Sequence, residues 1–117
     1  MIHLLEGDWA ITKDSLKVDC KNLYSLIKLR KLVSQEISVS SIGYKELDSI
    51  DKESVRYKLA DCSYPIIVAT MENPKGKQYR LIDGRHRILK HINNGVFNLE
   101  AYVLDKQDIL KFVEKYG

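Results

Sequence analysis

Cysteine is scarce in this chain. There are two, Cys20 and Cys62, in 117 residues, and no Cys-x-x-Cys pair. That pattern argues against a disulfide framework and against a zinc site, and leaves two buried, reduced thiols as the expectation. Long apolar runs are missing too: no segment approaches the ~18 apolar residues of a membrane span, so no membrane partner is expected. The first residues include Glu6 and Asp8 and carry no basic stretch, which does not read as a secretory signal. The sequence has no internal repeat and no low-complexity linker. These absences point to a reducing, cytoplasmic compartment, of a cell or of a viral host.

What is present suits one domain. A chain of this length can bury a real core without staples. With 44% hydrophobic and 30% charged residues, it has the composition of a folded protein rather than a disordered one. The formal charge of +3 permits a phosphate-bearing partner without demanding one, because binding depends on where charge clusters.

Along the chain, "HLLEG" and "WAITKDSLKV" read as short strands around Gly7-Asp8, with Trp9, the single tryptophan, as a core or lid anchor. Residues 20–35 carry apolar side chains at helical spacing behind Asp19 as N-cap. Lys21, Lys28, Arg30 and Lys31 occupy the other positions, a solvated or nucleic-acid-facing basic face. "ISVSSI" (37–42) reads as a short strand closed by Gly43. Residues 51–62 read as a second helix, capped by Ser49 or Asp51, with Val55, Leu59 and Cys62 on its buried stripe. "PIIVAT" (65–70) is a continuous β-branched run, as in a strand covered on both faces. A turn at "MENPKGK" leads to a strand over 78–82, whose Tyr79 and Leu81 face opposite to Arg80 and Ile82. A helix over 84–93 ends at Asn94-Gly95, a strand follows over 97–104, and Asp105 caps a last helix, 106–116. The expected class is mixed α/β, close to α+β, because the 65–82 hairpin argues against a purely parallel sheet.

The chemistry concentrates where that hairpin meets its helix, at Asp83-Gly84-Arg85-His86-Arg87. A helix N-terminus offers free amides and the positive end of a dipole. Gly84 allows close approach to the backbone. Arg85 and Arg87 can grip phosphate oxygens in pairs, and His86 can donate or exchange a proton. Together these suit an anion, above all a phosphate. Asp83 can cap the helix, orient an arginine, hold a metal ion or take a proton. It can also be an N-cap and nothing more, among ordinary surface arginines.

The block from "YPIIVAT" through "YRLIDGRHRILKHINNGVFNLEAYVL" resembles the ParB/sulfiredoxin superfamily, over residues 37–104 as core, with 1–36 as an extension bearing a helix. The Asp-Gly-x-His-Arg form is most similar to the free serine kinases of that superfamily. The resemblance implies that Gly84, His86 and Arg87 hold the phosphates of ATP or another nucleoside triphosphate, with Mg²⁺ bridging them; Arg85 is expected to add its guanidinium to that grip. It implies that Asp83 sits at the transferred phosphoryl group, with Glu46 as a second carboxylate (Glu36 as the next choice) and His86 near the proton. Arg85 falls where sulfiredoxins carry their reactive cysteine, so thiol chemistry is not expected. ParB proteins continue into DNA-binding helices, whereas this chain ends one helix after the motif. The expected function is therefore nucleotide binding with hydrolysis or phosphoryl transfer. The alternatives are a ParB-like nuclease or DNA-binding module, and an inactive accessory protein of a mobile element or virus.

Overall fold

The β-branched run after Pro65 becomes the central strand of a mixed five-stranded sheet. The computed structural model describes residues 17–44, 47, 50 and 52–115. In chain order these form β1 (Lys17–Val18), α1 (Cys20–Leu29), β2 (Gln35–Ser38), a 3₁₀ turn (Val39–Ser41), β3 (Ile42–Gly43), α2 (Val55–Lys58) and β4 (Ile66–Thr70). After these come β5 (Tyr79–Asp83), α3 (Arg85–Asn93), β6 (Asn98–Asp105), α4 (Lys106–Leu110) and β7 (Val113–Lys115). The sheet order is β2-β6-β4-β5-β3, and β1 and β7 form a separate two-stranded ribbon. β4 is antiparallel to β5, as the hairpin requires, and parallel to β6.

β2 and β3 lie at opposite edges of the sheet yet are joined by three residues. A flat sheet would put the two edges roughly 19 Å apart, at ~4.8 Å per strand spacing. The connection reaches at most about 14 Å. The sheet therefore curls until its edges approach. Ser41 Oγ donates to the Ser38 carbonyl at 2.7 Å inside the turn. This local bond competes with a strand ladder and splits the single strand expected over 37–42 in two.

Both faces are covered. Ile67 and Ala69 of β4 pack with Leu23 and Ile27 of α1 and Ile109 of α4. Ile66 and Val68 pack on the other face with Ile37, Leu99, Ala101 and Ile88 of α3. The β5 alternation is as expected, with Tyr79 and Leu81 against the second cluster and Ile82 against the first.

The helices are shorter than their sequence patterns suggest. α1 begins where expected, with Asp19 accepting from Asn22 N at 3.2 Å, but it stops at Leu29 rather than 35. Lys31 adopts φ 53°, its amide bonds to Lys28 O, and Leu32 N bonds to Ile27 O. This is a Schellman stop with lysine at the position glycine normally takes. Val33 is left exposed. α2 keeps only residues 55–58, capped by Ser54; Ser49 and Asp51, the expected caps, lie outside the described residues. Lys90 Nζ takes the carbonyls of Lys58 and Ala60 at 2.8 and 2.9 Å, which closes the helix. Val55 and Leu59, expected on a buried stripe, are exposed. The last helix ends at Leu110 rather than 116, and residues 113–115 pair with 17–18 instead. Asp105 caps it as expected, accepting from Asp108 N at 3.0 Å. Cys20 and Cys62 are not disulfide-bonded, and both are half-buried rather than buried. The expected strands before residue 17, and Trp9, lie outside the described residues. No helix among them is long and apolar enough to cross a membrane.

α1 is tied to α4 by Arg30 Nη1 to Asp108 Oδ2 at 3.0 Å. Burial pushes the Asp108 carboxyl up, but Arg30, Lys111 and the Asp105 contact outweigh it and hold the group below its usual range. A depressed folded-state pKa adds stability above the unfolded value, about pH 4, that is lost as pH falls through the folded value. Asp108→Asn is thus expected to be less stable than wild type at pH 7, with the gap closing below about pH 4. Urea unfolding at pH 7 and pH 3 checks this; an equal gap at both would refute it.

Candidate functional site

Asp83 is the last residue of β5 and Gly84 is the N-cap of α3, so Arg85, His86 and Arg87 form the first helical turn. Gly84 has φ 122°. A Cβ there would lie 2.5 Å from Ile66 Cγ2, so glycine is required both by conformation and by contact with the central strand. Asp83 is not the helix cap. Gly84 has no side chain to offer, and α3 has no side-chain cap and no acidic residue in its first turn.

The Asp83 carboxylate is used elsewhere. Its Oδ2 accepts from Tyr24 Oη at 2.8 Å and from Arg87 Nη2 at 3.0 Å. Arg87 Nη2 also donates to Tyr24 Oη at 3.1 Å, and Arg87 Nη1 donates to Pro65 O at 2.8 Å. The three side chains close a ring that links α1, β5 and α3. Burial is the main cause that pushes the Tyr24 phenol up to about 12; the Arg87 bond opposes the shift and Asp83 adds to it. Tyr24 therefore keeps its proton, and donates it in a hydrogen bond to Asp83, across the physiological range.

Beside this ring opens a cleft of about 830 Å³, within the size range of small-molecule sites. Lys28, Lys31 and Arg87 line it against one carboxylate, Asp61, and Tyr24, Tyr64 and Tyr102 supply aromatic wall. Asp61 accepts from Ser63 Oγ at 2.6 Å and Ser63 N at 2.9 Å. These bonds, the hydroxyl's first, hold its carboxyl below the ordinary range.

Of the expected site residues, Asp83, Gly84, Arg85, His86 and Arg87 are contiguous at this junction, with Arg85 and His86 half-buried. Glu46 lies outside the described residues. Glu36 sits on edge strand β2 opposite Glu100 and lines a different cavity of about 250 Å³ with Cys62 and His91. The basic face of α1 divides: Lys28 and Lys31 line the cleft, whereas Arg30 turns to Asp108. Tyr24, Asp61 and Tyr64 were not anticipated. Tyr24, Lys28 and Lys31 follow i, i+4, i+7 spacing, the one signal that could have joined them on a single face.

No protein-family model, curated protein or solved structure matches this chain.

Proposed function

We propose that this chain is a ParB/sulfiredoxin-like domain that binds a nucleoside triphosphate and hydrolyses it or transfers its phosphoryl group. The observation that carries this is the cleft. It has the volume for a nucleotide, three cations and three tyrosines line it, and one of those cations, Arg87, comes from the first turn of α3. The phosphates lie against that turn and Arg87, with Lys28 and Lys31 across from them. The base lies on the aromatic wall.

Lys31 gives separate support. A left-handed non-glycine residue costs about 1 kcal/mol or more, and here that residue is one of the cleft's cations. Strain kept at a site is grounds for assigning the residue a role there.

Among the described residues, no group of three or more His, Cys, Asp or Glu side chains converges on a metal position. The donor set suits Mg²⁺ carried on nucleotide phosphates and water, with Asp83 as the protein carboxylate, and not a dedicated protein cage. Bound there, Mg²⁺ would neutralise phosphate charge. With Asp83 given to the metal, His86 is the group left to orient the attacking hydroxyl or water and to take its proton. The nucleic-acid alternative is less well supported, because Arg30 is drawn out of the basic face.

Calorimetric titration with ATP, CTP and ADP in Mg²⁺ tests the assignment. Wild type is expected to bind at least one of them. The double variant Lys28→Ala, Lys31→Gly is expected to bind about tenfold or more weakly, from the loss of two charge-assisted contacts. Its glycine at residue 31 removes the left-handed strain, so weaker binding cannot be blamed on the helix stop. Absence of nucleotide binding by wild type would sink the proposal.

A further inference from the structure

We propose that Asp83 is a built-in rival of the phosphate taken by this site, and that Tyr24 is the latch that holds it on Arg87. This presumes the phosphate-binding motif proposed above. A guanidinium grips an oxyanion in pairs, through either its Nη1/Nη2 edge or its Nε/Nη2 edge. Both edges include Nη2, which carries two hydrogens. In Arg87, Nη2 donates to both Asp83 Oδ2 at 3.0 Å and Tyr24 Oη at 3.1 Å. Nη1 is drawn to the Pro65 carbonyl. A phosphate that grips Arg87 by either edge must therefore compete with the carboxylate and the phenol for Nη2.

The ring is largely sheltered. The Arg87 and Asp83 side chains are 14% and 33% exposed, so water screens their attraction only partly. Tyr24 adds hold from a separate element: its hydroxyl donates to the same Asp83 oxygen at 2.8 Å. Its high pKa means that it does so without a pH-dependent release. The result is a threshold. A singly charged carboxylate or halide gains little by displacing a carboxylate already in place, whereas a polyphosphate brings several charges and reaches the first-turn amides of α3 as well. The site thus selects polyphosphates over simple anions through an internal competitor.

The test is calorimetric titration of the full chain with pyrophosphate in metal-free buffer, for wild type, Asp83→Asn and Tyr24→Phe, with folding checked by circular dichroism. Metal is left out because a bridging cation would turn Asp83 from rival into partner. Asp83→Asn is expected to bind about tenfold more tightly, since a neutral amide holds Arg87 with about half the strength of a carboxylate. Tyr24→Phe is expected to bind a few-fold more tightly, and it decides alone if the first variant fails to fold. Equal or weaker binding by the folded variants, with wild type still binding, overturns the rivalry and leaves phosphate binding standing. No binding by any of the three overturns both.

Discussion

Gly84→Ala is expected to destabilise the protein by roughly 3 kcal/mol or more, the sum of a left-handed backbone penalty and an overpacked contact. The added Cβ would meet Ile66 Cγ2 at 2.5 Å and Ile66 Cβ at 2.9 Å. Ile66 is 1% exposed and lies in the central strand, so it cannot move aside without disturbing the second core cluster. Gly76→Ala is the internal control. Gly76 also has positive φ, 65°, but nothing lies within 4 Å of its ideal Cβ. It is expected to cost only the backbone term, about 1 kcal/mol. Thermal or urea unfolding of both variants checks this, and equal losses would show that the Ile66 contact does not matter. Since Gly84 sets how closely the start of α3 approaches β4, Gly84→Ala should also displace the motif and lower phosphate affinity.

Arg87→Ala is expected to remove phosphate binding and to cost about 2 kcal/mol of stability. The stability term arises because the change leaves Pro65 O without its arginine donor and removes the cation from Asp83. Asp83 is a third exposed, which places the cost below that of a fully buried broken pair. Arg87→Lys should not restore the wild-type state, because one ammonium cannot reproduce the planar fork that reaches Pro65 O, Tyr24 and Asp83 together. Arg85→Ala is expected to weaken binding without opening the Asp83–Tyr24–Arg87 ring. Paired melting curves and calorimetric titrations separate the two arginines. An Arg87→Ala variant that melts like wild type would refute the structural half, and one that still binds pyrophosphate would refute the other.

What the sequence discloses follows the range of the interactions. The β4 run, the β5 alternation, the Asp19 and Asp105 caps and the Asn94-Gly95 stop are local patterns, and each appears where it was expected. The end of α1 was missed because Lys31 takes a backbone conformation that its residue type does not advertise. The expected helix over 106–116 was cut short by pairing with β1, which no local window contains. The candidate site divides the same way. Its contiguous half, 83–87, is visible as a motif. Tyr24 lies 59 residues from the Asp83 to which it donates, and only the curled sheet with α1 against it brings them together. The aspartate's engagement with its own arginine was likewise one of several open roles until the geometry chose among them.

The ribbon of β1 and β7 has a consequence for the order of folding. Its pairing of Lys17 with Lys115 closes the longest loop of any strand pairing described, and loop-closure entropy grows with the enclosed length. The segment from β4 through α3, by contrast, gathers the motif from neighbours in sequence. Nucleation through that local unit comes at lower entropic cost. The first turn of α3 can thus take shape before the two ends of the described chain meet.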